Sequence, residues 1–307
     1  MIVLNTEKEL IRVASWDDIV TRPGFSQSLN PNEHELKSII GRYAFSERIQ
    51  CGLSTCHTPH GKGYIVTTKD GLETNIGKDC GKTYFGVDFD TLSRSFDQDV
   101  TDKENRDKLW SFLFAADEFK SKVSGMRLQA RGANWIHKTS RDLLEVGRSV
   151  PDPIVRRVES MIRSRNPALM GAREATDEEV ASQEAREGRR VNRPHYVEHV
   201  IAFISGLEAL YPENNLRDLL VVDLETNLKA FERSSIDIMT SAELSHWSKW
   251  ISSTDATLDR ATLSIDYGRR LLVRENLAAF SEILTTSDER RRFNQYLRFV
   301  ADGGADA

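Results

Sequence analysis

Cys51-Gly-Leu-Ser-Thr-Cys56-His57-Thr-Pro-His60, followed after two alternating runs by Ile76-Gly-Lys-Asp-Cys80, is the stretch that sets the architecture. All three cysteines of the chain lie in it. Thiolate sulfur and imidazole nitrogen suit a tetrahedral Zn²⁺. A ligand pair on a turn plus a ligand at a helix start clamps a hairpin that cannot bury a core alone. Between the two arms, Tyr64-Ile-Val-Thr-Thr68 and Leu72-Glu-Thr-Asn-Ile76 flank Lys69-Asp70-Gly71, and Asp-Gly between alternating runs signals a hairpin. The order is therefore ligand turn, hairpin, then Cys80 at the entry to a short helical turn. A disulfide framework would use an even count in a secreted chain, so an odd set interleaved with histidines points to metal.

Four ligands close a structural zinc site, and Cys51, Cys56, His57, His60 and Cys80 are the candidates. Cys51, Cys56, His60 and Cys80 form the preferred set. His57 directly follows a cysteine, so its side chain should diverge from the metal; His60, past Thr58-Pro59, can fold back. His57 is the alternative fourth ligand. Three thiolates and a neutral imidazole around Zn²⁺ leave one net negative charge, and Lys62, Lys78 and Lys82 are near enough in sequence to offset it. The same lysines are the candidate nucleic-acid contacts. A site closed by four protein ligands has no position for water or substrate, and Gly-Lys-Thr-Tyr-Phe-Gly-Val-Asp after Cys80 offers barely one helical turn and no imidazole. A zinc-module nuclease is therefore kept only as an alternative. Loss of metal should unfold residues 44–90.

Outward from this stretch, Ser15-Trp-Asp-Asp18 reads as a capping box, and Leu36, Ile39, Ile40 and Tyr43 share a face of a helix over 32–43. From about Thr101 the spacing of apolar residues is helical. Trp110, Leu113, Ala116, Phe119, Val123, Met126, Ala130, Ala133 and Ile136 mark one stripe on a long helix, which Pro151-Asp-Pro153 ends. Residues 166–193 read as a solvated helix or mobile linker. Pro194 then suits the first turn of a new helix. Further apolar stripes continue through Leu224, Trp250, Ile265 and Leu297, and antiparallel packing of such helices gives a bundle or a coiled-coil-like hairpin.

His195-Tyr-Val-Glu198-His199 matches the H-x-x-E-H pattern, in which two histidines one helical turn apart hold zinc and the glutamate is general base. It supports a metal-dependent hydrolase as an alternative function, with Glu208, Glu213 or Glu225 as third ligand. The arginine runs at 189–193 and 290–292 adjoin acidic residues and read as solvated helix faces.

The 307 residues carry 42 basic and 47 acidic side chains, a net charge of −5, so any nucleic-acid contact must be a local patch. No apolar run reaches the ~20 residues a membrane span needs, and the N-terminus lacks a signal-peptide pattern; the expectation is a cytoplasmic protein with no membrane partner.

Over residues 48–90 the chain resembles a treble-clef-like zinc-binding module that recurs in uncharacterised phage and prophage proteins. The shared pattern is a Cys/His knuckle, a strand pair around an acidic-Gly turn, and a closure matched by Ile76-Gly77-Lys-Asp-Cys80 and Phe85-Gly86. The Cys-x₄-Cys spacing and the single cysteine at the helix start depart from it. The resemblance implies a structural zinc and a mobile-element origin, with nucleic acid or protein as partner. The expected fold is mainly α: a small α+β zinc-binding module over 1–95, then an all-helical domain over 96–307 with a mobile stretch at 166–193. The expected function is a non-enzymatic zinc-stabilised binding protein, with homo-oligomer formation through the helices as an option.

Overall fold

The computed structural model describes residues 1–6 and 9–303. The chain divides into two compact units, Met1–Leu113 with Ser235–Ile251, and Phe114–Ser234 with Ser252–Ala307.

The first unit is built on a five-stranded antiparallel sheet of order β2-β1-β3-β4-β5. Its strands are β1 (Ile2–Asn5), β2 (Leu10–Val13), β3 (Leu36–Gln50), β4 (Pro59–Thr68) and β5 (Glu73–Ile76). Side chains alternate across a strand, and here both faces are apolar. Ile2, Leu4, Tyr43 and Ile65 point to one face, where Ile19, Trp16 and Phe25 cover them. Val3, Tyr64, Val66 and Ile76 point to the other, against Phe89, Phe96 and Val100. Those three come from α2 (Lys78–Phe114), which bends at Gly86, where φ is 61° and ψ is −137°. That left-handed backbone suits glycine. Tyr64 meets Phe89 edge-on at 5.7 Å and donates its hydroxyl hydrogen bond to Asp97 at 2.7 Å, tying α2 to the sheet. The hairpin read from Asp70-Gly71 is present, with Tyr64 opposite Ile76 and Thr67 opposite Glu73. The reciprocal bonds read at Ser15 and Asp18 are also formed, at 3.2 and 3.3 Å, across the start of α1 (Asp17–Val20), whose capping residue is Trp16.

The segment 32–43 is not helical. Its apolar residues fit either period, but β-branched Ile39-Ile40 and aromatic Tyr43 favour extended backbone, and pairing with β1 and β4 settles the choice.

In the second unit, α3 (Ala116–Leu128), α4 (Ala133–Ser140), α5 (Asp152–Ser164), α7 (Asn227–Glu232), the later part of α8 (Ser241–Leu271), α9 (Arg274–Ala278) and α10 (Ser287–Ala301) are accompanied by a π-helix over Asp218–Thr226. Val123, Ile136, Ile154, Val158, Leu220, Leu258, Ile265, Phe280 and Phe293 meet in one core. Of the two arrangements expected, this helical core fits a bundle and not a coiled-coil-like hairpin. The long stripe from Trp110 to Ile136 is broken into α2, α3 and α4. Pro151-Asp-Pro153 opens α5 instead of closing a helix, because a proline in the first turn gives up an N–H that has no partner there.

The largest departure lies in 166–203, expected to be a solvated helix or mobile linker and then a helix in an all-helical domain. Strands β6 (Ala168–Glu174) and β7 (Tyr196–Phe203) form an antiparallel ribbon, with α6 (Asp177–Glu187) between them in sequence. A complete Thr176/Glu179 capping box starts α6, so the solvated-helix reading holds for its residues and the flanking strands are what it lacked. The protein is thus mainly helical with a small antiparallel sheet. No helix of the described residues is long and apolar enough to cross a membrane.

Candidate metal centre

Residues 51–58 connect β3 to β4, and the end of β5 holds this loop in place. The Asn75 carboxamide donates to the Gln50 carbonyl at 2.8 Å, the Gly52 amide to the Asn75 carbonyl at 2.8 Å, and the Thr74 hydroxyl to the Gly52 carbonyl at 3.1 Å. A Cβ at Gly52 would lie 2.1 Å from Thr74 Oγ1, so the close approach requires glycine. After β5 the chain passes Gly77 and enters α2, which carries Cys80 in its first turn.

Three sulfurs converge where the loop and the helix start meet. The Sγ atoms of Cys51, Cys56 and Cys80 lie within 4.8 Å of one another, with Cys56 and Cys80 3.2 Å apart. All three cysteines are free. The amides of Leu53 and Gly77 donate to Cys51 and that of Thr58 to Cys56, so each loop sulfur takes the N–H two residues on. Amide donors of this kind stabilise thiolate, as does the helix N-terminus at Cys80. Burial raises the Cys51 thiol despite its amides. Burial also raises Cys80, reinforced by its bond to Cys56 and the neighbouring sulfur charges, to about 12. At Cys56 burial is outweighed by hydrogen bonds from Thr58 and from Cys80, and its thiol sits below the ordinary range. A cation entering here must therefore displace protons, chiefly from Cys51 and Cys80. The donor set, three soft sulfurs at one point with amide dipoles turned toward them, fits Zn²⁺ held by Cys51, Cys56 and Cys80.

His60 does not join the sulfurs. It already lies in the β3–β4 ladder opposite Ile49, and both ring nitrogens are engaged. Nδ1 lies 3.0 Å from the Thr58 carbonyl, and Nε2 meets the hydroxyl of buried Tyr43, which also accepts from Asn75 Nδ2 at 3.3 Å. A carbonyl only accepts, so the neutral ring carries its proton on Nδ1 and its lone pair on Nε2. That is the state a ligating histidine adopts, with the other nitrogen held by a carbonyl. His57 is exposed, in the left-handed region at φ 50°, on the rim of a 290 Å³ cavity shared with Cys51, Trp16, Gln27 and Asn75. Within reach of one ion the structure brings together these three sulfurs, and as placed no carboxylate or imidazole of the described residues lies among them.

Lys62, Lys78 and Lys82 are all exposed. Lys62 lies in β4 opposite Ala44, while Lys78 opens α2 and Lys82 stands one helical turn beyond it. Lys82 pairs with Asp90 at 3.4 Å. After Cys80 the helix runs on past the single turn expected.

The H-x-x-E-H reading needs a helix, and these residues are a strand. His195 precedes β7 and His199 lies opposite Gly171, so the two are about 13 Å apart along extended backbone and Glu198 points to the opposite face. His195 Nε2 instead bonds Gln183 at 2.7 Å.

Tyr43, Thr58, Thr74 and Asn75 support the centre and were not singled out from sequence. Tyr43 was placed on the wrong element. The others are short polar residues whose role depends on a loop and a strand distant in sequence. A hint for Asn75 was present, since an amide inside an alternating strand needs a partner once buried. No family model, characterised protein or solved structure matches this chain.

Proposed function

We propose that this is a non-enzymatic, zinc-stabilised binding protein whose first unit is a treble-clef-like module of phage or mobile-element type. The observation that carries the metal assignment is the convergence of Cys51, Cys56 and Cys80 with amide donors on the two loop sulfurs. In this reading His60 Nε2 is the fourth donor, leaving the Tyr43 hydroxyl for the metal while Thr58 keeps its hold on Nδ1. The order knuckle, hairpin, helix start supports the treble-clef comparison. The zinc holds a surface in shape and the surface does the binding.

The partner is nucleic acid, met by Lys62, Lys78 and Lys82. All three are exposed, Lys78 and Lys82 one turn apart at the start of α2 and Lys62 in β4, and in a chain of net charge −5 only a local cluster can neutralise phosphate. The test is the affinity for an oligonucleotide as a function of salt. Removing one lysine that neutralises a phosphate lowers the slope of log affinity against log salt by roughly 0.7 to 0.9. A triple Lys→Ala variant should bind more weakly, with a shallower slope and undiminished zinc. Affinity and slope equal to wild type would defeat the nucleic-acid reading and turn the module into a protein-docking element.

A further inference from the structure

Among the described residues the ribbon of β6 and β7 has no third strand, and the free edge of β7 is set up to receive one. The Ala175 amide donates to the His195 carbonyl at 2.8 Å, and the pairs Arg173–Val197 and Gly171–His199 continue in the same phase. In an antiparallel ladder the residues between such pairs direct their N–H and C=O to the other side. The backbone groups of Tyr196, Glu198 and Val200 therefore face away from β6, and among the described residues none has a backbone partner. Natural edges are guarded by lysine, proline or a bulge. None falls between Tyr196 and Val200; the ribbon's bulge puts one extra residue, Ile201, into β7 directly after Val200, and so sets the end of the open stretch.

The side chains say what kind of strand fits. Bonds from α6 to His195 and Arg173 place α6 on one face of the ribbon. The other face presents Tyr196, 60% exposed, and Val200, 44% exposed, with exposed Glu198 between. A second copy pairing antiparallel about Glu198 would set that carboxylate opposite its own twin, and like charges directly opposite are destabilising. A basic residue there is complementary, flanked two positions away on each side by apolar residues.

We propose that the β7 edge is a strand-addition site for an extended protein segment of pattern apolar-x-basic-x-apolar, its basic side chain opposite Glu198 and its apolar ones beside Tyr196 and Val200. Main-chain hydrogen bonds supply the affinity and the alternate side chains the selectivity. The assignment is independent of the metal centre.

The experiment is fluorescence anisotropy of the full chain with a labelled Val-Thr-Lys-Thr-Val peptide carrying short flanks. Saturable binding is expected, at least tenfold weaker when the peptide lysine is glutamate, with the preference reversed in Glu198→Lys. N-methylation of the edge-facing peptide amides should cost tenfold or more, as should Val200→Pro, which removes a donor outside the β6 ladder. Absence of saturable binding, equal affinity for the N-methylated peptide, or an unchanged preference in Glu198→Lys would overturn the proposal. A dimer in sedimentation that Val200→Pro separates would also overturn it, in favour of a second copy.

Discussion

His60 and His57 show how much of a metal site depends on a single bond direction. Both follow Cys56 closely, yet one is a strand residue with its Nδ1 proton held by Thr58 and the other is an exposed residue in a left-handed turn. With Cys51, Cys56 and Cys80 supplying three sulfurs, His60→Ala should lower zinc affinity at least tenfold and alter the visible spectrum of a Co²⁺-substituted protein, while His57→Ala changes neither. Such a penalty is in the range seen when a ligand or its orienting partner is removed. Equal loss in both variants would mean that His57 shares the fourth position, and loss in His57→Ala alone would assign it there. Cysteines, histidines and the order of the ligand turn could be read from residue type and spacing. Tyr43, Asn75 and Thr74 could not, since their bonds to the loop cross 17, 25 and 22 positions.

Among the elements, α6 is the clearest case of local chemistry fixing a helix start. Its Glu179 receives Arg173 at 2.6 and 2.8 Å and the Thr176 amide at 2.9 Å. The Arg173 bonds, with the capping bond next, hold its carboxyl down at about 2 against an ordinary 4.5. A lowered carboxylate pKa stabilises the fold above the unfolded value, and that contribution disappears as the pH falls through the folded one. The window is therefore about 4.5 down to about 2. The Thr176 amide resonance should titrate near the lower value, and Arg173→Ala should move its midpoint up toward 4.5. A midpoint near 4.5 in the unaltered protein would mean the box and ion pair are absent in solution. β3 teaches the converse lesson. Leu36, Ile39, Ile40 and Tyr43 satisfy a helical period as well as a strand, and only the ladder to β1 and β4 resolves the ambiguity. β7 was misread for the same reason, its two histidines four apart fitting either period until β6 paired with it.

For the whole molecule, the expectation that metal loss unfolds residues 44–90 assumed an isolated hairpin. β4 is instead an inner strand, packed on both faces, with Ile65, Val66, Ile76 and Phe89 fully buried. Burying each such side chain is worth about 1.5–3 kcal/mol, a contribution to the sheet that does not depend on zinc. Chelator should therefore raise hydrogen exchange in residues 51–58 and at the first turn of α2, while β1, β3, β4 and the core of the second unit keep their protection. Loss across the whole sheet would show that the metal is part of its folding. The chemistry of the ligands, the hairpin turn at Asp70-Gly71, the reciprocal bonds at Ser15 and the helical character of most of the chain after Thr101 were legible in the linear order, because each arises from residues a few positions apart. The open edge of β7, the Tyr43–His60 bond and the place of His60 apart from the three sulfurs were not. They depend on which strand lies beside which, and strand pairing joins residues whose separation along the chain carries no local signal.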